Sequence, residues 1–144
     1  MNVTDENGFS PLHSAAYERN PDLVELLLRA GANVNARNEH GQTPLLVCTM
    51  TDQSDKRDAY ITVVDMLIEA GADCNAQDDG GYTPLHEPAL VGDIEVCRLL
   101  IAHGANARLC NKHGQSALDL LKLQNAMRRR HGFPELVLTV DESK

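Results

Sequence analysis

The apolar residues of the chain recur in short blocks with helical spacing, and polar, glycine-rich stretches separate the blocks. Each block predicts a short helix followed by a second one, as in the helix from Pro11 to Glu18 and the apolar helix that starts at Pro21. A glycine follows each second helix, where a left-handed C-terminal residue is favoured: Gly31, Gly71 and Gly104. The polar stretches that come next predict turn-rich hairpins over 32–40, 72–80 and 105–113.

One short signature occurs four times, at 8–13, 41–46, 81–86 and, in degraded form, 114–119. Its copies begin 33, 40 and 33 residues apart. A period of this size indicates that each unit is one supersecondary element, which buries its apolar face by stacking on its neighbours. Every copy contains a residue that can cap a helix N-terminus, and in the first three copies a proline follows it. The predicted caps are Ser10, Thr43, Thr83 and Ser116.

Further motifs recur in phase with this signature, among them Thr-Pro-Leu-His at 83–86, the pair Ala15-Ala16 and Gly-Ala-Asn-Val-Asn at 31–35. A unit with these motifs resembles the ankyrin repeat, and the resemblance covers about residues 1 to 131. It implies an all-α solenoid of about four helix-turn-helix-hairpin units, joined by β-hairpin-like loops. It also implies that His13 and His86 are structural and hold neighbouring backbone through side-chain hydrogen bonds.

The repeats divide the chain into an ankyrin-repeat domain at 1–133 and a C-terminal tail at 134–144. The first helix of the last unit is expected to run on to Arg130 with a polar outer side, as a terminal capping repeat requires. The predicted units are 8–40, 41–80, 81–113 and the capping repeat 114–133.

Two features depart from the period. The second unit carries seven extra residues, 52–58, which either lengthen its helices or form an exposed charged loop, and a binding role for them is open. The third unit has Pro88 four residues after the helix-opening Pro84. A proline at this position removes one backbone hydrogen bond and crowds a carbonyl, so we expect a kink or break in that helix.

The resemblance implies a concave face, made of hairpin tips and first helices, that binds other proteins. Three of the five aromatic residues, Phe9, Tyr17 and Tyr82, fall at its expected contact positions. Aromatic residues on a surface are typical of interface anchors, and packing against the next repeat is the alternative. The expected partner-binding residues are Glu6, Phe9, Tyr17, Glu18, Glu39, His40, Gln42, Met50, Asp79, Tyr82, Glu87, Leu90, Lys112 and His113.

The formal net charge is −8, and it is unevenly distributed. Residues 1–111 carry 17 acidic and 7 basic side chains, whereas residues 112–144 carry 4 and 6. An acidic body repels a phosphate backbone, so nucleic acid is not an expected partner. We expect a protein segment with Lys or Arg and a few apolar side chains. The run Arg128 to Arg130 is either a solvated cap or a second contact.

These patterns predict a non-enzymatic protein–protein interaction module, such as a scaffold, adaptor or regulatory domain, that is monomeric in isolation. The alternatives are a reader of basic tails such as histone tails, and a structural slice of a longer solenoid. The last alternative predicts apolar exposure at the end of the stack near Met1 and self-association. No Gly-rich phosphate loop, His-Glu-x-x-His or Gly-x-Ser-x-Gly motif occurs in the sequence, so neither catalysis nor a cofactor is expected.

The spacing of the cysteines and the first residues of the chain indicate the cellular compartment of the protein. Four scattered cysteines without a Cys-x-x-Cys pair are expected to be packing thiols, not disulfides or metal ligands. No apolar run approaches the roughly 18 residues that span a bilayer. The first six residues lack the basic and apolar segments of a signal peptide. We therefore expect an intracellular protein, cytoplasmic or nuclear, with no membrane partner.

Overall fold

The computed structural model describes residues 3–50 and 56–138, and over these residues the structure is helical. No β-strand occurs among them, and one isolated bridge joins Cys110 and Ser116. The expected all-α class is confirmed. The helices are α1 Pro11–Tyr17, α2 Pro21–Arg29, α3 Pro44–Thr49, α4 Arg57–Glu69, α5 His86–Val91, α6 Ile94–Ala102 and α7 Ala117–Arg130.

Three of the four predicted helix caps are confirmed. The side chains of Ser10, Thr43 and Ser116 each accept a hydrogen bond from the backbone N–H three residues later, and α1, α3 and α7 begin directly after them. Ser116 also forms a capping box with Asp119. Each cap satisfies a backbone donor that has no partner inside the helix, and this fixes where the first helix of its unit begins.

The prediction that the third unit would start its helix directly after Thr83 is wrong, because α5 begins only at His86. Pro88 has no N–H to donate to the carbonyl of Pro84, and its ring would crowd that carbonyl in a helix begun there. In the observed helix Pro88 lies in the first turn, where a missing N–H costs nothing. The expected break is therefore present, but it lies ahead of Pro88 and not at it.

The insertion in the second unit lengthens its second helix by one turn. α4 has 13 residues, whereas α2 and α6 have 9 each. The extra turn carries Arg57 to the third unit, where the guanidinium donates to both carboxylate oxygens of Asp93 at 2.5 and 2.8 Å and to Glu95 at 3.1 Å. These carboxylates raise the pKa of Arg57. Residues 52–55 of the predicted insertion lie outside the described residues.

The helices stack in two layers. α1 packs on α3, α2 on α4 and α5 on α7, while α3 and α5 approach each other less closely. Leucines at equivalent positions of the first three units are fully buried between the layers: Leu12, Leu45 and Leu85.

The cysteines follow the expectation in three cases. Cys48, Cys74 and Cys97 are buried thiols in the core, and Cys110 is exposed. Burial raises the pKa of Cys48 and Cys97 to about 12, so both remain protonated and unreactive at neutral pH.

The end of the stack differs from the sequence expectation. α7 does run to Arg130, as predicted. The following residues up to 138 do not extend away as a tail. The Asn125 side chain donates to the Leu136 carbonyl at 3.0 Å and accepts from its N–H at 2.8 Å, and Leu136 and Leu138 pack on the core. This segment covers core residues that a complete unit would cover with a second helix.

Successive hairpin tips are joined by backbone hydrogen bonds. The N–H groups of Glu39, Asp79 and Lys112 donate to carbonyls of the preceding tip at 2.9 to 3.1 Å. Within each tip one side-chain oxygen accepts from two backbone N–H groups, which closes the turn without a β-ladder. The side chains responsible are Asp5, Asn38, Asp78 and Asn111.

The two signature histidines are structural, as expected. His13 Nδ1 accepts from the Ser10 N–H at 3.1 Å, so Nε2 carries the proton and donates to the Gln42 carbonyl at 2.7 Å. His86 makes the same pair of bonds with Thr83 and Gln115, at 2.9 Å each. Each neutral imidazole thus joins a helix start to the next unit.

Replacing a core leucine tests the stacked core. Leu67→Ala should lower the free energy of unfolding by about 2 to 5 kcal/mol, because it removes a fully buried side chain and leaves a cavity. Leu123→Ala, at an exposed helical leucine, should cost less than about 1 kcal/mol. Urea denaturation followed by circular dichroism measures both, and equal losses would contradict the assigned burial.

The buried His13 predicts acid sensitivity. Burial lowers its pKa below the ordinary value, so the unfolded chain takes up a proton more readily than the folded one. The stability contributed by His13 should be complete above about pH 6.5 and decrease as the pH falls from there through the lowered folded value. Urea midpoints over this range should fall more steeply for the natural protein than for His13→Gln.

Candidate partner-binding surface

The hairpin tips carry a row of charged side chains. Glu6, Glu39, Asp79 and Lys112 occupy equivalent positions of four successive hairpin tips, and all four are exposed. The backbone bonds between tips hold the last three directly against their predecessors. The row therefore presents three carboxylates followed by one ammonium group, and we call it the tip row.

A second row is formed by the residues that stand seven positions after Ser10, Thr43, Thr83 and Ser116. Its members are again repeat-equivalent, and all are apolar or aromatic: Tyr17, Met50, Leu90 and Leu123. Tyr17, Leu90 and Leu123 are 54%, 41% and 52% exposed, and Met50 is half-buried. Exposed apolar side chains are common one at a time, but four at equivalent positions of a stack form a continuous strip. We call this strip the apolar row.

Phe9 and Tyr82 lie between these rows, and the structure shows what holds them. Each ring meets the signature histidine of its own unit edge to face, with centroids 5.5 Å apart and an interplanar angle of 70°. Both aromatic residues are half-buried. One side of each ring therefore packs against a buried imidazole, and the other side is accessible to solvent. The role of Phe9 and Tyr82 as interface anchors stays a prediction.

At the first unit the surface forms a hollow of about 250 Å³. Its lining combines two aromatic rings with two carboxylates and two neutral polar side chains: Phe9, Tyr17, Asp5, Glu18, Asn7 and Ser14. A hollow of this kind suits a cationic side chain with an apolar stem, because the carboxylates attract the charge and the rings contact the stem.

The remaining predicted residues are distributed over the same side. Gln42 is half-buried and donates from its side chain to Met50 Sδ at 3.5 Å. His40 is exposed and lies 3.5 Å from Glu39, and His113 is exposed at the last tip. Glu87 is half-buried in the first turn of α5, which the displaced helix start has moved.

Leu123 of the apolar row is not among the partner-binding residues expected from the sequence, and neither are Val91 and Met127, which are 58% and 57% exposed. Met127 lies one turn after Leu123 in α7, and the Gln124 side chain donates to the Val91 carbonyl at 3.4 Å. Both therefore extend the apolar row. The interval of one helical turn between Leu123 and Met127 could have identified Met127 from the sequence.

Two kinds of feature are absent from the described residues: a membrane-spanning helix and a cluster of metal-binding side chains. No helix among residues 3–50 and 56–138 is both long and apolar enough to cross a membrane. The same part of the chain contains no group of three or more His, Cys, Asp or Glu side chains placed to hold a metal ion.

Comparison with known proteins identifies the repeats. The family described as "Ankyrin repeats (3 copies)" matches residues 1–78, and "Ankyrin repeats (many copies)" matches residues 61–121. Ankyrin repeat-containing protein P1E11.10 of Schizosaccharomyces pombe is 43% identical over 47 residues, which are 33% of this chain and 23% of that protein. Protein fem-1 homolog C of Xenopus laevis is 38% identical over 55 residues, 38% of this chain and 8% of the other.

A longer alignment joins the chain to oxysterol-binding protein homolog 2 of Saccharomyces cerevisiae, with 30% identity over 149 aligned positions, 85% of this chain and 12% of that protein. The chain thus spans less than a quarter of the length of these curated relatives. The family matches agree with the caps, glycines and tip hydrogen bonds described above. The chain belongs to the ankyrin repeat family.

Proposed function

We propose that the chain binds a segment of another protein along its concave side, between the tip row and the apolar row, without catalysing a reaction. Ankyrin repeats are generally protein–protein interaction modules. The single observation that supports this particular surface is the presence of two rows, one charged and one apolar, at repeat-equivalent positions of the stack.

The chemistry of the partner follows from the two rows. Three carboxylates on successive tips attract Lys or Arg, and the apolar row offers contact area to a few apolar side chains. Charge on the rim raises the rate of encounter, while desolvated apolar contacts contribute most of the affinity. Lys112 reverses the sign at the fourth tip, so the partner segment carries an acidic residue near that end.

A scaffold, adaptor or regulatory role in the cytoplasm or nucleus is consistent with such binding. A reader of unstructured basic tails would depend on the tip row alone. Removal of the apolar row distinguishes the two functions, because only a partner with apolar anchors loses affinity.

The first test removes exposed members of the apolar row. Tyr17→Ala combined with Leu90→Ala should weaken a captured partner by about tenfold or more, since truncation of interface anchors has effects of that size. The unfolding midpoint should change little because both side chains are largely exposed. The readout is affinity capture followed by titration of the captured protein.

A matched control uses exposed apolar residues on another side. Phe133→Ala combined with Val137→Ala removes one ring and one aliphatic side chain, 59% and 69% exposed. Binding should be unchanged in this variant. Equal loss in both variants, or no loss in the first, would contradict the proposed surface.

The second test neutralises the tip row. Glu6→Gln, Glu39→Gln and Asp79→Asn together should reduce binding at low salt and flatten its salt dependence, because screened long-range attraction is removed. The control is Glu25→Gln, Asp65→Asn and Glu69→Gln, which makes the same charge change on exposed residues of α2 and α4. Association rates measured at two salt concentrations distinguish the triple variants, and identical slopes would exclude the tip row from the site.

A further inference from the structure

One asparagine of the sequence, Asn7, is followed by a glycine. It lies at the tip of the first hairpin, and its side chain is exposed. His40 and His113 occupy the same position of later tips and are exposed as well. The exposure of Asn7 therefore comes from its position in the tip and not from the place of the first unit in the stack, and water has access to its side-chain amide.

The side-chain amide of Asn7 is also held least among the described asparagines. Within residues 3–50 and 56–138, no hydrogen bond to this amide is present. Each of the other eight described asparagines has a side-chain hydrogen bond: Asn20, Asn33, Asn35, Asn38, Asn75, Asn106, Asn111 and Asn125. The Asn7 side chain can therefore rotate about its Cα–Cβ bond, since it is exposed and no hydrogen bond selects one rotamer.

Gly8 provides a nucleophile next to this amide. Because glycine has no Cβ, Asn7 Cγ can approach the Gly8 nitrogen without meeting a side chain. Attack of this nitrogen on Cγ forms a C–N bond while the nitrogen loses its proton. The bond from Cγ to Nδ2 breaks, and ammonia leaves with that proton. Water then opens the five-membered imide at either carbonyl carbon and gives aspartate or isoaspartate, so one water is consumed for each ammonia released.

We propose that Asn7 is a deamidation site, converted with water as the co-reactant, and that it reacts before the other described asparagines. An amide without a hydrogen bond and a following glycine coincide at this position. Asn106 is also exposed, but alanine follows it and its Oδ1 accepts from the Arg108 N–H at 2.9 Å. The modification needs no partner, so it does not depend on the proposed function.

Deamidation changes both the hollow of the first unit and the tip bond beside it. Either product places a third carboxylate with those of Asp5 and Glu18 and lowers the formal net charge from −8 to −9. In isoaspartate the main chain runs through Cβ and Cγ, and the former carbonyl of residue 7 becomes a side-chain carboxylate. This carbonyl accepts from the Glu39 N–H at 3.1 Å, so isoaspartate alters the bond between the first two tips while aspartate retains it.

The turn around Asp5 controls the rate of the reaction. The Gly8 N–H donates to the Asp5 carbonyl at 3.0 Å, and the N–H groups of Asn7 and Phe9 donate to the Asp5 carboxylate at 2.9 and 3.0 Å. These bonds oppose the rotation that brings the Gly8 nitrogen to Asn7 Cγ. Asp5→Ala should therefore speed conversion. Asp5→Asn should keep the natural rate, because asparagine closes the equivalent turns of the second and fourth tips, and equal rates in the two variants would contradict control by the turn.

The test is incubation of the full chain at physiological temperature and mildly alkaline pH, followed by peptide mapping with mass spectrometry. Asn7 should be converted first, to a mixture of aspartate and isoaspartate, while Asn106 in the same sample stays intact. Ion-exchange chromatography should show the growth of a species with one more negative charge. Asn7→Gln should remove this species, because glutamine would have to form a less favoured six-membered ring.

Three results would overturn the proposal. Loss of the Asn106 amide at the same rate would show that conversion does not depend on the neighbouring glycine. Aspartate without isoaspartate would exclude the imide, since the imide gives both products. A folded chain that keeps Asn7 while the urea-unfolded chain loses it would show that the fold prevents the reaction.

Discussion

The hydrogen bonds between hairpin tips are the constraint on which the concave side depends. They require two backbones to approach more closely than side chains allow. A Cβ added to Gly81 would lie 2.9 Å from Asn111 Cα, and one added to Gly8 would lie 2.9 Å from the Glu39 nitrogen. Both glycines also have positive φ, 82° and 77°. The glycine of the signature is thus needed twice, for its conformation and for the space it leaves.

This constraint explains why single residues of each unit become rows. Once one atom pair per tip is fixed, residues at the same position of successive units must lie side by side. Asn35 and Asn75 add a second set of such links, because each side-chain amide donates to the glycine carbonyl that ends the next second helix, at 3.1 and 2.9 Å. Substitutions at the row positions can therefore change the charge or polarity of this surface while the backbone stays the same.

The sequence was most informative where a local interaction decides the structure. Caps, prolines and glycines act within a few residues, so Ser10, Thr43 and Gly31 could be interpreted without knowledge of the fold. Pro88 showed the limit of such rules. Its effect on helix geometry was predictable, but the later start of the helix was not, because the first unit has the same cap and histidine bonds and its helix begins at Pro11.

Non-local contacts were harder to predict. The residues that follow α7 have no repeat to identify them, and the pairing of Asn125 with Leu136 and the core packing of Leu136 and Leu138 show that they belong to the body. The rings of Phe9 and Tyr82 are half-buried, between the exposed position and the packed position that the sequence left open. Their contact with the histidine four residues later could not be inferred from composition, because it depends on the turn that the N-cap creates.

The one-turn extension of α4 has a consequence for how the stack is held together. The helices of units one and two, and of units three and four, are joined by close packing, whereas α3 and α5 stand farther apart. Across the junction between units two and three, the connections include the tip bond from Lys112 to Gly80, the bond from the Asn75 side chain to Gly104 and the ion pair of Arg57 with Asp93. Stability in a linear stack is set by contacts between neighbours, and the hydrophobic core is continuous through this junction, so the polar connections there act together with buried packing. A helix α4 without its extra turn would lack Arg57, and the ion pairs with Asp93 and Glu95 would be lost from the junction where the first helices are farthest apart.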